Sequence, residues 1–276
     1  MARLIYTLPP NQKFIYILLE LEELAMKNGG ADSGKVDVVV LTKNSERLLE
    51  RCLNSIYKNL PVNHLIIVDG YSTDSTLEII ERFRKKYGNV ILLMDRGTRG
   101  SARMKGIREV RTEWFVFVDS DVVLCNQWYE RAKRLMKDNV GGIWGIEIWS
   151  DLEHSAALKL FLVVTRKIFH LRGGTHDLLV RREAVEDIEI PRDLHVFEDL
   201  FIKEWIERKG YRVIATYDPY CIHYRPSNAW TLKGSINILV ENLRFAPRRR
   251  LPHMFLAYGF YTAYVVYRII SKNLGC

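Results

Sequence analysis

From Lys35 onward, short apolar runs alternate with amphipathic stretches. Val36-Asp37-Val38-Val39-Val40-Leu41 predicts a buried strand, and Ser45 to Asn59 a helix. Leu65 to Val68 predicts a second strand, followed by a turn and a helix from Ser75 to Tyr87. Val90 to Met94 is the third strand; a glycine-containing loop and a helix over Ala102 to Val110 follow it. Trp114 to Val118 is the fourth strand and ends at Asp119. Strands that alternate with helices in this way imply a mainly parallel, doubly wound α/β sheet, whose ligands bind at the carboxyl ends of the strands.

The second half is less regular. Ile143 to Ile148, Leu178 to Val180 and Tyr211 to Thr216 read as strands, Glu198 to Lys209 as a helix, and Ala156 to His170 as a very apolar helix carrying Lys159, Arg166 and Lys167. After His223 the α/β pattern stops. Trp230 to Phe245 is amphipathic, with Leu232, Ile236, Leu239, Val240 and Leu243 on one helical face. Met254 to Ile270 is a run of 17 residues with one charge, Arg268. At ~1.5 Å per residue it covers about 25 Å, short of a ~30 Å hydrocarbon core. The pattern divides the chain into an N-terminal helical appendage and linker (1–34), a catalytic domain (35–225) and a tail of membrane-associating helices (226–276). In the appendage, Glu20, Glu22 and Glu23 interrupt the apolar run, which argues against a signal peptide.

Charge sharpens the picture of the tail. From Arg225 onward eight Lys/Arg face one acid, Glu241, leaving 33 basic and 32 acidic residues of the total 41 and 33 in the rest of the chain. A near-neutral body with a basic tail disfavours nucleic acid as a partner and suits an anionic membrane surface. Arg248-Arg249-Arg250, ahead of the apolar run, and tyrosines at 258, 261, 264 and 267 suit the cytoplasmic face of a membrane. A helix pair that covers the domain or joins two copies is the alternative. The four cysteines lie tens of residues apart without a C-x-x-C pair, which removes the common zinc and redox spacings.

Polar residues gather where the strands end: Thr42-Lys43-Asn44 after the first, Asp69-Gly70-Tyr71-Ser72-Thr73-Asp74 after the second and Asp119-Ser120-Asp121 after the fourth. Two acids one residue apart at the end of an apolar strand repel each other unless a cation lies between them, so Mg²⁺ or Mn²⁺ is the economical explanation. With Gly97-Thr98-Arg99-Gly100-Ser101-Ala102-Arg103-Met104-Lys105-Gly106 between them and Phe197-Glu198-Asp199 ahead of a later helix, these segments resemble family 2 glycosyltransferases. The resemblance runs from about Val36 to His223 and, with the tail, extends to membrane-associated members that use polyprenyl or dolichyl phosphate acceptors.

The resemblance implies a GT-A fold, a Rossmann-like mixed sheet with helices on both faces, joined here to C-terminal amphipathic and hydrophobic helices. It implies that Thr42 and Asp69 hold the base and ribose of a nucleotide diphosphate sugar, with Asn44 and Ser120 close by and Arg103 on the nucleotide or diphosphate. Asp119 would face the ribose and the metal, Asp121 would ligate the metal, and His223 stands where some members place a further ligand. Asp199 would be the general base and Glu198 its neighbour. The acceptor would be a lipid-linked group or another glycan. Each residue has a plainer alternative: Asp69 as a turn cap, Arg103 as a solvated helix residue, Glu198 and Asp199 as helix-start acids, His223 as a packed histidine. His176, after Gly173-Gly174-Thr175, is either a sugar contact or an inert loop residue. Gly70 stands where a second Asp is common, and the Q-x-x-R-W element of processive members is absent.

Three other functions are weaker. No G-x-G-x-x-G follows the first strand, against a dinucleotide-dependent oxidoreductase. An N-terminal glycine-rich activation loop, expected of a sugar nucleotidyltransferase, is missing. A non-catalytic nucleotide-sugar-binding scaffold has no chemical need for Asp119, Asp121 and Asp199 together.

Overall fold

The computed structural model describes residues 34–150, 174–192, 194 and 197–224, together with Ile236, Val240, Leu243 and Val266. The expected N-terminal helix, the apolar helix at 156–170 and the two C-terminal helices lie outside these residues. The four isolated positions are helical and exposed. Among the described residues no helix is long and apolar enough to cross a membrane.

The elements run β1 (Val36–Thr42), α1 (Leu49–Asn59), β2 (Val62–Asp69), α2 (Thr76–Tyr87), β3 (Val90–Met94), α3 (Arg99–Glu109), β4 (Trp114–Asp119), β5 (Val122–Leu124), α4 (Trp128–Lys133), β6 (Val140–Trp149), β7 (Asp177–Arg181), α5 (Glu198–Arg208) and β8 (Arg212–His223). They form one eight-stranded sheet in the order β3-β2-β1-β4-β7-β6-β8-β5. The β1–β4 group is parallel, β7 runs antiparallel to β4 and β6, and β5 runs antiparallel to β8. The sheet is mixed and mainly parallel, as the α/β pattern implies.

Alternation along the strands sends side chains to two cores. Val38, Val40, Leu65 and Ile67 pack with α1, α2 and α4 on one face, while Val39, Ile66, Phe115 and Phe117 pack with α3 and α5 on the other. The α3 helix comes very close to β1, since a Cβ on Gly106 would collide with Val39. At the amino end of the sheet Asp37 is fully buried. It accepts hydrogen bonds from the Arg111 and Thr112 amides and from Asn63 Nδ2, tying β1 to the neighbouring loops.

Several boundaries differ from expectation for visible reasons. Helix α1 begins at Leu49 instead of Ser45, because the Ser45 amide donates to Thr76 Oγ1 and its hydroxyl meets Ser120. Helix α3 begins at Arg99, ahead of the expected Ala102, because the Thr98 hydroxyl caps the Ser101 amide. Strand β8 continues well beyond Thr216: residues 216–219 bulge opposite Gly145, and pairing with β6 resumes at Tyr220. That continuation carries His223 to the carboxyl edge of the sheet.

Candidate active site

The strand order switches sides between the parallel neighbours β1 and β4, and the crevice at their carboxyl ends is the natural ligand site of such a sheet. Its β1–β2 side is a hydrogen-bonded latch. Thr42 Oγ1 and Ser72 Oγ both donate to Asp69 Oδ2, at 2.7 and 2.6 Å, and the Ser72 amide donates to Oδ1 at 2.7 Å. Asp69 has no exposed surface. Its carboxylate organises the turn between β2 and α2. Thr42 is buried against it. Asn44 is exposed but also serves the latch, accepting from the Thr73 amide at 2.9 Å. Lys43 reaches across Gly70 to its carbonyl at 2.5 Å. A side chain at 70 would meet Lys43 Cδ and displace that flexible side chain.

The β4 side carries the charges. Arg103 is 2% exposed, its guanidinium 4.9 Å from the centre of the Phe117 ring. One nitrogen, Nη2, donates both to Asp119 Oδ1 at 2.7 Å and to Thr175 Oγ1 at 2.5 Å. Nε and Nη1 are buried without a hydrogen-bond partner among the described residues. Two unsatisfied cationic donors are costly in a folded protein, and an anionic ligand would satisfy them. Burial would raise the Asp119 carboxyl, but Arg103 overrides it and holds the group below its ordinary range. Ser120 hydrogen-bonds Ser45 across the crevice at 3.0 Å.

Three adjacent strands converge on the metal-ligand candidates. Register sets Val122 of β5 opposite His223 of β8, and Glu147 of β6 opposite Cys221. His223 Nε2 lies 3.1 Å from Asp121 Oδ2, and its Nδ1 lies 2.6 Å from Glu147 Oε2. Burial opposes charge on this imidazole, yet hydrogen bonds to Asp121 and Glu147 push its pKa up to about 10. The two carboxylates thus favour positive charge on the ring, and a metal ion held there would have to take the place of the Nε2 proton. Two neighbouring ligands of an octahedral ion at ~2.1 Å stand about 3 Å apart, so Asp121 and His223 fit as adjacent ligands backed by an orienting carboxylate. One imidazole with one carboxylate suits Mn²⁺ at least as well as Mg²⁺.

Glu198 and Asp199 open helix α5 on the opposite side of Arg103. Burial pushes the Glu198 carboxyl up; Arg103 opposes that shift and Asp199 adds to it. Asp199 Oδ1 accepts from the Leu200 amide at 2.7 Å, and Oδ2 faces Gly174. Phe197, Asn44 and Tyr71 all adopt left-handed backbone without being glycine, and all three lie in loops at the strand ends. Such conformations cost on the order of 1–2 kcal/mol each and persist where the surrounding structure holds them.

The structure thus brings Arg103, Asp119, Asp121, His223, Glu198 and Asp199 around one crevice and sets Asp69 behind it. It adds Glu147, Thr175 and Asp177, which sequence reasoning passed over. An acid between Ile146 and Ile148, and another directly ahead of Leu178-Leu179-Val180, were the available signals.

Sheet order defines a doubly wound α/β fold whose strand ends gather acids, a histidine and a buried arginine. Residues 37–153 match the family model described as Glycosyl transferase family 2, and together with the relatives below this places the chain in that family. It is 29% identical over 203 residues to a poly(ribitol-phosphate) beta-glucosyltransferase of Bacillus spizizenii, an alignment covering 67% of this chain and 32% of that protein. The chain therefore spans about a third of that relative. It is 30% identical over 203 residues to the glycosyltransferase AglE of Haloferax volcanii, covering 68% of this chain and 66% of the relative. Among solved structures, a mannosyltransferase from Pyrobaculum calidifontis in complex with GDP-Man and Mn²⁺ superposes with a TM-score of 0.62 at 17% identity, over 95% of this chain and 83% of that one. That likeness is one of fold.

Proposed function

We propose that this chain is a metal-dependent, inverting hexosyltransferase. Its donor is a GDP- or UDP-linked sugar, and its acceptor is lipid-linked, a polyprenyl or dolichyl phosphate or a lipid-linked saccharide, at the cytoplasmic face of a membrane. The observation that carries the chemistry is the Asp121–His223–Glu147 alignment at the crevice, with the buried, unsatisfied nitrogens of Arg103 beside it and Asp199 beyond.

Asp121 and His223 would hold Mn²⁺ or Mg²⁺, which supplies positive charge to the diphosphate as the anomeric C–O bond breaks. Arg103 Nε and Nη1 add donors to the same leaving group. Asp119 keeps the guanidinium in place through Nη2. On the other face the acceptor oxygen attacks the anomeric carbon, its proton passes to Asp199, and the bonding pair leaves with the diphosphate. General-base help of this kind contributes typically ~10²–10⁴-fold.

The membrane reading is supported by the basic tail and by the exposed apolar side chains of Ile236, Val240 and Leu243, spaced as on one helical face. A non-lipid glycan acceptor is the second reading, favoured by the name of the Bacillus relative.

Release of nucleoside diphosphate from UDP-, GDP- and dTDP-sugars tests the donor half, with Mn²⁺ or EDTA and beside Asp121→Asn. Turnover that needs both metal and Asp121 is expected; turnover indifferent to both overturns the reading. Asp199→Asn then separates acceptors. A phosphate monoester is already anionic at neutral pH and needs little base, whereas a sugar hydroxyl loses transfer about 10²-fold or more.

A further inference from the structure

A second ionisable cluster lies directly behind the crevice and has no part in the chemistry above. Asp177 is fully buried at the start of β7, paired with Val118 of β4, and the His176 carbonyl accepts from the Asp119 amide at 3.3 Å. The Asp177 carboxylate is held at both oxygens: Oδ2 accepts from the Trp128 indole at 2.9 Å, and Oδ1 meets His176 Nδ1 at 2.7 Å. Cys221 Sγ lies 3.5 Å from the same ring nitrogen. These three side chains stand close enough to suggest a metal site. However, the 2.7 Å contact is a hydrogen bond, shorter than two ligands of one tetrahedral ion would stand, and Trp128 already occupies the other carboxylate oxygen.

The arrangement instead presents one atom. With Nδ1 given to Asp177, Nε2 is the free nitrogen of His176 and has no hydrogen-bond partner among the described residues. It borders a point above Gly174 where a Cβ would stand 3.1 Å away, and Asp199 Oδ2 lies 3.6 Å from that same point. A side chain at 174 would press on the His176 ring, with Cδ2 only 2.8 Å from that point, so glycine leaves Nε2 uncovered. A second glycine, Gly145, makes room for the dyad from behind, because a Cβ there would collide with Asp177 Oδ2. Thr175, between Gly174 and His176, is the residue that anchors Arg103. One short segment therefore ties the diphosphate side of the crevice to the base.

The geometry points to His176 as a contact for a hydroxyl of the transferred hexose, with Asp177 as the residue that positions it, the sugar occupying the space that Gly174 leaves between His176 and Asp199. This rests on the reading of the crevice as a nucleotide-sugar site. A buried carboxylate that takes the Nδ1 proton fixes ring orientation and tautomer, so that Nε2 meets the hydroxyl without reorganisation. The sugar is then held by its own contacts, separately from the nucleotide.

That separation makes the test. Binding of UDP, GDP, UDP-glucose and GDP-mannose is measured by calorimetry with Mn²⁺ on the full chain, and the ratio of nucleotide-sugar to nucleoside-diphosphate Kd is compared between variants. His176→Ala should leave the diphosphate Kd within about twofold and weaken the sugar nucleotide about fivefold, the worth of one hydrogen bond. His176→Gln, whose amide reaches toward the position of Nε2, should recover part of that loss. Gly174→Ala should discriminate in the same direction as His176→Ala by filling the space. An unchanged ratio in all three overturns the proposal. Parallel loss of diphosphate and sugar nucleotide also overturns it, since the dyad would then merely support the strand that bears Asp119. A wild-type chain that binds none of the four nucleotides refutes the nucleotide-sugar reading, and the dyad's role falls with it.

Discussion

If the crevice takes the proposed metal, Glu147 should set its affinity through His223. Its Oε2 lies 2.6 Å from His223 Nδ1, while Nε2 of the same ring faces Asp121 Oδ2 at 3.1 Å. With a carboxylate behind it, the ring is fixed with Nε2 forward and becomes a more basic ligand. Glu147→Gln keeps the shape but removes the charge, and the amide can present its NH₂ where an acceptor is needed. Exchanging a charge-assisted hydrogen bond for a neutral one costs about 1–2 kcal/mol, which is roughly five- to thirtyfold in Kd. Losses of orienting partners around metals fall in a similar range, ~10–100-fold. The assay is titration of Mn²⁺ into the chain saturated with nucleoside diphosphate, followed by the electron paramagnetic resonance of free Mn²⁺. Glu147→Gln should weaken Mn²⁺ about tenfold. His223→Ala should weaken it further, and adding Glu147→Gln to His223→Ala should then change nothing more. An unaltered Mn²⁺ affinity in folded Glu147→Gln, or fully additive losses in the double variant, would refute the claim that Glu147 acts through His223.

Two further predictions concern the scaffold. Gly106→Ala should destabilise the fold by about 1–2 kcal/mol, because overpacking against Val39 outweighs the better helix propensity of alanine; Val39→Ala in the same chain should restore much of it in thermal melts. Burial raises the Asp37 carboxyl, but hydrogen bonds from Arg111, Asn63 and Thr112 outweigh it and leave the group below its ordinary value. Its stabilisation is thus complete above the unfolded-state pKa of about 4 and fades as pH falls through the folded value. Urea melts from pH 6 to pH 3 should show a steeper acid loss for wild type than for Asp37→Asn, and equal slopes would contradict the assignment.

The parallel half of the fold is legible because each strand there buries both faces and each helix only one. Val38, Val39 and Val40 go alternately to the two cores, so the run reads as continuously apolar, and the end of each run marks where the crevice residues begin. Asp119 and Asp121 are visible for that reason. Asp69 is equally visible as a residue, but the sequence shows only an acid at a strand end, not that Thr42 and Ser72 enclose it. The antiparallel half hides its logic in register. His223 meets Asp121 only because β8 resumes pairing after a bulge at Pro219, a residue that on local grounds ends a strand. Glu147 and Asp177 are harder still, since single acids within apolar runs look like surface positions until three neighbouring strands turn them inward. What the linear pattern lacks is the partner of each charge. Arg103 with Asp119, His223 with Glu147 and His176 with Asp177 all join different loops or strands, except the last, whose two members are adjacent in sequence and still unremarkable there. Its neighbours Gly145 and Gly174 pack so closely on it that a side chain at either would collide with Asp177 or with the His176 ring, a constraint that only the folded chain reveals.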